Sequence, residues 1–206
     1  MRDIPALILL ILIALLLRVL MSELVFTDEV YYAALSDNLS FDRIDELLKN
    51  RKELAWVSYA ITPMFYILKI FLVTVCLYIG IFMFEKKVSF SALFSVCIYA
   101  EFVFLVPIAI RLFWFTQIDT SYALADVSDF PPASLYNVLG STIDEDWIKY
   151  PLRVLNAFEL IYMIALANGI SNKFNFSFTE SVKLVLASYG LGLILWILTI
   201  VFLLIN

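Results

Sequence analysis

The chain has 206 residues, of which 63% are apolar, and its mean hydropathy of +0.94 lies far above the soluble range, where roughly half the residues are apolar; a sizeable soluble domain is excluded. There is no histidine, which removes His-based zinc sites, Ser-His-Asp triads and histidine proton relays. The net charge of −5 argues against nucleic acid as a partner, and Cys76 and Cys97 both fall in apolar runs, where they read as small hydrophobes rather than a disulfide framework or a CxxC site.

The first apolar run, residues 4–26, follows Met1-Arg2. Its front imitates a signal peptide, but Arg18 interrupts it and no small-x-small cleavage site follows, so it reads as a retained span. Residues 27–61 form a polar excursion. Within it, Ser40 to Lys49 predicts an amphipathic helix. Ser40 is the N-cap, acids fill the first turn, and Lys49, Arg51 and Lys52 lie near the end. Phe41, Ile44, Leu47 and Leu48 share a face, which suits the membrane surface or a cap packed over the span ends. Trp56 and Tyr59 mark the interface before the second span.

Residues 62–84 and 88–116 form a hairpin of two spans turning at Glu85-Lys86-Lys87. Each arm reaches the roughly 20 apolar residues that a bilayer requires. Pro63 suits the first turn of its helix, and Pro107 is predicted to kink the third span or end its regular part. Residues 117–150 are a second excursion, acidic at Asp119, Asp126, Asp129, Asp144, Glu145 and Asp146. Pro131-Pro132 predicts a short helix that Gly140 ends. Tyr122, Tyr136, Trp147 and Tyr150 fit a lid at headgroup level. The fourth span is 151–169, with Glu159 near its middle, and the fifth is 181–205, started by a capping box over Ser177-Phe-Thr-Glu180. Gly190 and Gly192 predict close helix packing there. The chain ends at Asn206 with no lipidation or retention signal.

The expected architecture is an all-α, polytopic bundle of five transmembrane spans. It forms a single integral membrane domain over 1–206, with short amphipathic helices in two extracytoplasmic excursions. Both tight turns face one side, with Arg2, Lys86, Lys87, Lys173 and Lys183. Short basic loops count most toward the positive-inside rule, which places the N-terminus in the cytoplasm and the C-terminus outside. The minimal termini fit a bacterial inner (plasma) membrane.

The two hairpins repeat faintly. Gly80-Ile81, a basic turn and Val88-Ser89-Phe90 match Gly169-Ile170, a turn with Lys173, and Phe176-Ser177-Phe178. Tyr99 and Tyr189 follow at unequal spacing. A duplicated helix pair would give this pattern, and so would chance among apolar sequences.

Asn156-Ala-Phe-Glu-Leu, Ala167-Asn-Gly-Ile and Phe176-Ser-Phe-Thr-Glu-Ser resemble the YIP family of five-span membrane proteins, loosely over residues 62–206. The resemblance implies a five-helix bundle acting as a membrane scaffold or adaptor, in bacteria often accessory to a transporter. It implies no catalytic residues. The chain departs from the family in two ways: eukaryotic members carry a cytosolic segment before the first span, and the 27–61 insertion is unlike the family's compact core.

Charges within a bilayer are expensive, and they usually pair or line a polar cavity. At about 1.5 Å per residue, Arg18, Lys69, Glu101 and Glu159 lie roughly 15–24 Å from the turn side. Lys69 and Arg18 are therefore predicted to face Glu101 and Glu159 in a buried charge network. Snorkelling is the alternative for the two cations, and a structural ion pair or protonated carboxyl is the alternative for the acids. The leading functional expectation is a non-catalytic membrane subunit or scaffold that associates with other membrane proteins, such as a transporter or secretion accessory. The alternative is a small transporter or lipid-handling protein using Lys69, Glu101 and Glu159. An enzyme is the poorest reading, because no HExxH, GxSxG or paired-aspartate motif sits at a membrane face. Asp28-Glu29 and Asp144-Glu145-Asp146 are weak metal candidates. No catalytic, metal or cofactor-binding residue is assigned. The expected partners are membrane lipids and a membrane protein or second copy.

Overall fold

The structure is a computed structural model that describes residues 3–139, 143 and 145–205. Arg2, Gly140 with its expected helix stop, Asp144 and Asn206 lie outside the described residues.

The chain enters as α1 (Ile4–Leu24), then α2 (Asp28–Leu35) and α3 (Phe41–Glu53), and returns in α4 (Ala55–Met83). A third rod is assembled from α5 (Phe90–Glu101), a 3-10 turn (Phe102–Phe104), α6 (Leu105–Phe113) and a π turn (Trp114–Ile118). Short helices α7 (Leu124–Ser128), α8 (Tyr136–Leu139) and α9 (Asp146–Val154) lead to α10 (Ala157–Phe174). The last rod is α11 (Phe178–Val185), a π turn (Leu186–Gly190) and α12 (Leu191–Ile205). The described residues are all-helical, with no strand.

Four helices are long and apolar enough to cross a membrane: Ile4–Leu24, Ala55–Met83, Phe90–Ile118 and Phe178–Ile205. They mark the chain as an integral membrane protein. The remaining expected span, the fourth at 151–169, is not one helix. Asn156 interrupts it: its side-chain oxygen accepts from the Glu159 N–H at 2.9 Å, capping α10, while its amide nitrogen donates to the Arg153 and Val154 carbonyls. The α10 helix has 18 residues and carries Glu159, Asn168, Asn172 and Lys173, which make it less apolar than the other four.

Other boundaries also move for local reasons. The helix expected to begin at 62 begins at Ala55, so Pro63 lies inside it rather than in its first turn. Pro63 has no N–H to give to the Tyr59 carbonyl. Pro107 behaves as expected: the regular α-helix is interrupted by the 3-10 turn just ahead of it. Ser177 and Glu180 form the reciprocal capping box, with Glu180 N–H to Ser177 Oγ at 3.2 Å and Ser177 N–H to Glu180 Oε2 at 3.1 Å. Ser40 has the extended cap backbone but makes no capping bond with its side chain. In α3, Ile44 and Leu48 are buried while Phe41 is 69% exposed, so the packed stripe is narrower than the four-residue face. The α3 helix is tied to α2 through Lys52 and Asp28 and through Tyr32 and Asp45.

Lipid tails are as apolar as leucine, so helices in a bilayer associate through close packing and hydrogen bonds rather than through removal of apolar surface from water. Glycine supplies the closest approaches here. A Cβ on Gly80 would lie 2.4 Å from the Ser188 Cβ, and one on Gly169 would lie 2.5 Å from the Val96 Cγ1. The hairpins therefore interlock reciprocally: the incoming helix of each presses a glycine against the outgoing helix of the other. Of the two glycines expected to pack closely, Gly192 would meet Cys76 Sγ at 3.4 Å, whereas Gly190 has nothing nearer than 3.9 Å.

Both hairpin turns hold one residue in the left-handed region, Glu85 (φ 58°) and Asn175 (φ 55°). The two turns are neighbours, since the Lys86 ammonium sits 5.2 Å from the Phe176 ring centroid. Ser95 donates to Asp3 at 2.8 Å and accepts from Lys173 at 3.3 Å. That contact places the start of α1 on the same side as both turns. The two excursions lie on the other side, where Tyr122 donates to the Val25 carbonyl and packs with Phe115.

Gly80→Ala is expected to destabilise the fold by about 1–3 kcal/mol, the usual penalty of overpacking. The obstructing atom is a Cβ fixed to the facing backbone. Gly169→Ala should lose less, because a valine methyl can turn away. Thermal unfolding in detergent checks both, and adding Ser188→Gly to Gly80→Ala should restore part of the loss.

Candidate functional site

Two polar pairs occupy the middle of the bundle. Lys69 Nζ donates to Glu101 Oε1 at 2.6 Å. Glu101 is 1% exposed, and the Lys69 side chain 40%. The lysine ammonium also lies 3.4 Å from the Phe104 ring centroid and 5.3 Å from that of Tyr162. The 3-10 turn ahead of Pro107 carries Phe104 to that position. Such ring faces attract a cation, by up to about 2 kcal/mol when it is desolvated. In the second pair the Tyr189 hydroxyl donates to Glu159 Oε1 at 2.5 Å. Tyr189 lies in the π turn, a local rewinding of the kind that re-aims functional side chains. Tyr162 is fully buried between the pairs, its ring 4.7 Å from Phe104 and 5.4 Å from Tyr189. Glu101 Oε2 and the Tyr162 hydroxyl are buried without completing a hydrogen bond.

The pairs occupy equivalent positions in the two hairpins. Lys69 lies sixteen residues before Glu85, and Glu159 sixteen before Asn175; Glu101 and Tyr189 each lie twelve after their N-cap serines, Ser89 and Ser177. Tyr189 therefore corresponds to Glu101. Tyr99, its expected counterpart, is 56% exposed on the outside of α5.

Of the four predicted charges, Lys69 meets Glu101, Glu159 meets a tyrosine, and Arg18 does neither. Arg18 forms no ion pair or hydrogen bond among the described residues and is exposed. The reason is depth. The α1 helix ends at Leu24, which puts Arg18 about 9 Å from its outer end, whereas Lys69 lies about 21 Å inside α4. Counting from the true turn at Asn175 likewise puts Glu159 about 24 Å deep rather than about 15 Å.

Arg18 instead lines a cavity of about 1290 Å³ that opens on the excursion side. One face of α4 forms its wall: Ala55, Ser58, Tyr59, Thr62 and Tyr66 recur at helical spacing. The α1 helix contributes Ala14, Arg18, Met21 and Ser22, and α6 contributes Pro107, Ile108 and Arg111. Arg51 donates to the Phe26 carbonyl at 2.8 Å and stacks 4.4 Å from the Tyr31 ring centroid. Its Nη1 is buried without a partner. Arg111 donates twice to the Phe130 carbonyl, at 3.1 and 2.6 Å. Lys52 pairs with Asp28 at 2.6 Å. Glu23 and Glu29 also line the cavity. Nearby, burial raises the Tyr122 hydroxyl above its ordinary value, and it donates to the Val25 carbonyl. The helical spacing of the α4 wall was readable in the sequence; its meeting with Arg18 and Arg111 depends on tertiary packing.

A smaller cavity of about 360 Å³ lies on the turn side between α5 and α10, lined by Ser95, Tyr99, Asn168, Asn172 and Lys173 among others. Among the described residues, no three His, Cys, Asp or Glu side chains converge as a metal site.

No protein-family model matches the chain, and neither does any curated protein or solved structure.

Removing one member of a buried ion pair strands the other. Lys69→Leu is expected to lower stability by about 2–3 kcal/mol, somewhat below the range for fully buried pairs because the lysine is partly exposed. The double variant Lys69→Leu/Glu101→Leu should recover most of that loss. Equal stability of the single variant and wild type, by chemical unfolding in detergent, would contradict this.

Proposed function

We propose that this chain is a lipid-handling membrane protein that holds an amphiphile in the cavity between α1, α4 and α6. The cavity is the observation that carries the reading. Its volume exceeds the roughly 300–1,000 Å³ of pockets for drug-sized ligands. Along α4 its lining runs from Ala55 to Tyr66, about 16 Å of helix. The charged residues Arg51, Lys52, Asp28 and Glu29 stand at the outer end, and Ala14, Thr62, Tyr66 and Pro107 at the inner end. A molecule with a polar head and an apolar tail matches that gradient. Tyr66 is one helical turn from Lys69, so occupancy of the deep end bears on the Lys69–Glu101 pair. That proximity supports transport of the amphiphile as well as its retention.

In this reading α10 is a fifth crossing. Its support is Lys173 beside Ser95 on the turn side, and the bond from Trp196 to the Tyr150 hydroxyl, where α12 meets α9. The N-terminus is cytoplasmic, the cavity opens outward, and the membrane is a bacterial inner membrane. The YIP-family resemblance remains part of the proposal, supported by the capping roles of Asn156 and Ser177 within the segments that carry it.

A second reading, a non-catalytic subunit that binds another membrane protein, draws on the last rod. Only 6% of the apolar window of Phe178–Ile205 is buried, against 44% for Phe90–Ile118. Leu191, Leu195 and Leu198 are exposed along it. A partner helix would cover that face.

The first test is lipid extraction and mass spectrometry of protein purified in mild detergent. Wild type is expected to carry about one equivalent of bound lipid. Ala14→Phe and Thr62→Phe, which fill the cavity, should lower it at least tenfold without loss of the folded particle. Unchanged lipid in both variants would overturn the cavity assignment. A stoichiometric membrane partner lost on Leu195→Arg would favour the subunit reading.

A further inference from the structure

We infer that the polar end of the cavity recognises a phosphate ester bearing a primary ammonium, the chemistry of a phosphoethanolamine headgroup. The inference rests on the amphiphile reading of the same cavity and adds the class of headgroup.

The charges that line the cavity do not cancel. Lys52 and Asp28 neutralise each other at 2.6 Å. Arg18, Arg51 and Arg111 remain, and none has a carboxylate within ion-pairing distance among the described residues. Guanidinium groups are planar and bind phosphate oxygens through paired N–H donors, which an ammonium cannot do. Two of the three are already oriented. Arg51 is held by the Phe26 carbonyl and the Tyr31 ring, and Arg111 by the Phe130 carbonyl. Their carbonyl contacts use Nη2 of Arg51, and Nε and Nη2 of Arg111, so Nη1 of each has no partner among the described residues. For Arg51 that nitrogen is buried and unpartnered, a state that costs free energy until an acceptor arrives. Prepaying the orientation of donors in this way lowers the cost of binding. Arg18 makes no hydrogen bond or ion pair among the described residues and is exposed at the cavity, so it can close over the ligand.

The cavity also holds two carboxylates with no ion pair among the described residues, Glu23 in the last turn of α1 and Glu29 in the first turn of α2. A purely anionic ligand leaves them repelling it. A zwitterion uses both sets: its phosphate faces the arginines and its ammonium the glutamates. A primary ammonium donates three hydrogen bonds, whereas a quaternary one donates none. This separates an ethanolamine head from a choline head.

The experiment is native mass spectrometry of the full chain in detergent micelles. Phosphatidylethanolamine, phosphatidylglycerol, phosphatidylcholine and diacylglycerol with the same acyl chains are compared, with soluble glycerophosphoethanolamine as a separate arm. Phosphatidylethanolamine is expected to be retained at least tenfold better than phosphatidylcholine and diacylglycerol. Arg18→Gln, which removes no bond among the described residues, and Arg111→Gln should each reduce that retention about tenfold. Glu23→Gln/Glu29→Gln should erase the preference over phosphatidylglycerol. Equal retention of all four lipids would overturn the headgroup inference and leave the amphiphile reading intact. Soluble glycerophosphoethanolamine binding as tightly as the lipid would keep the headgroup and overturn the amphiphile reading. Binding of none of them would overturn both.

Discussion

A charge in the middle of a bilayer has to be met by the protein that carries it, because lipid offers neither counter-charge nor hydrogen bond. Glu101 is nearly completely buried, and much of the bundle's interior is arranged around it. Lys69 reaches it from the facing helix, Phe104 covers the ammonium, and Tyr162 separates this pair from the second one. Each of these positions has a backbone cause. The 3-10 turn before Pro107 presents Phe104, the π turn after Val185 presents Tyr189, and Asn156 caps α10 so that Glu159 and Tyr162 enter the core together. Irregular backbone thus coincides with the polar layer, while the helical stretches between carry apolar packing.

The hairpins meet this constraint twice, with different chemistry. One pairs a lysine with a carboxylate; the other pairs a carboxylate with a tyrosine hydroxyl at the equivalent depths. A neutral donor for Glu159 avoids placing a second ammonium near the first. The glycines complete the arrangement. Gly80 and Gly169 each stand on the incoming helix, and each admits the outgoing helix of the other hairpin. Without that approach the four helices could not bring both pairs into one layer.

Much of this was legible in the sequence where a local rule decides the outcome. The Ser177–Glu180 capping box, the disturbance near Pro107 and the long apolar rods depend on neighbours within one helix. Legibility ended where tertiary geometry decides. Lys69 and Glu101 were recognisable as members of one buried charge network because both sit deep on adjoining arms of one hairpin. Arg18 was misplaced because its depth depends on where α1 ends, and that is decided by packing at Met21 and Val25. Tyr189 was missed as the partner of Glu159 because a tyrosine in an apolar helix reads as an ordinary aromatic. The cue was its distance from the N-cap serine, the same twelve residues as for Glu101. The break at Asn156 was hidden within a mostly apolar run, since a capping asparagine looks like any other polar interruption.

The outer cavity follows from the same lengths. The α4 helix begins at Ala55 rather than at 62, so its first two turns stand beside α1 as a wall, and the α2–α3 excursion folds across their ends instead of lying away from the bundle. Arg51 and Lys52, which in isolation are the basic end of an amphipathic helix, are thereby turned toward Arg18. The second excursion contributes Phe130, whose carbonyl holds Arg111 in place. Each arginine is fixed by a neutral backbone oxygen or by nothing, and none by a carboxylate among the described residues, so no ion pair neutralises them inside a partly enclosed space. A membrane protein that needed these side chains only for interfacial anchoring could leave them snorkelling singly into the headgroups. Their convergence on one cavity, beside glutamates that make no ion pair among the described residues, is the arrangement that the proposed zwitterionic headgroup would complete.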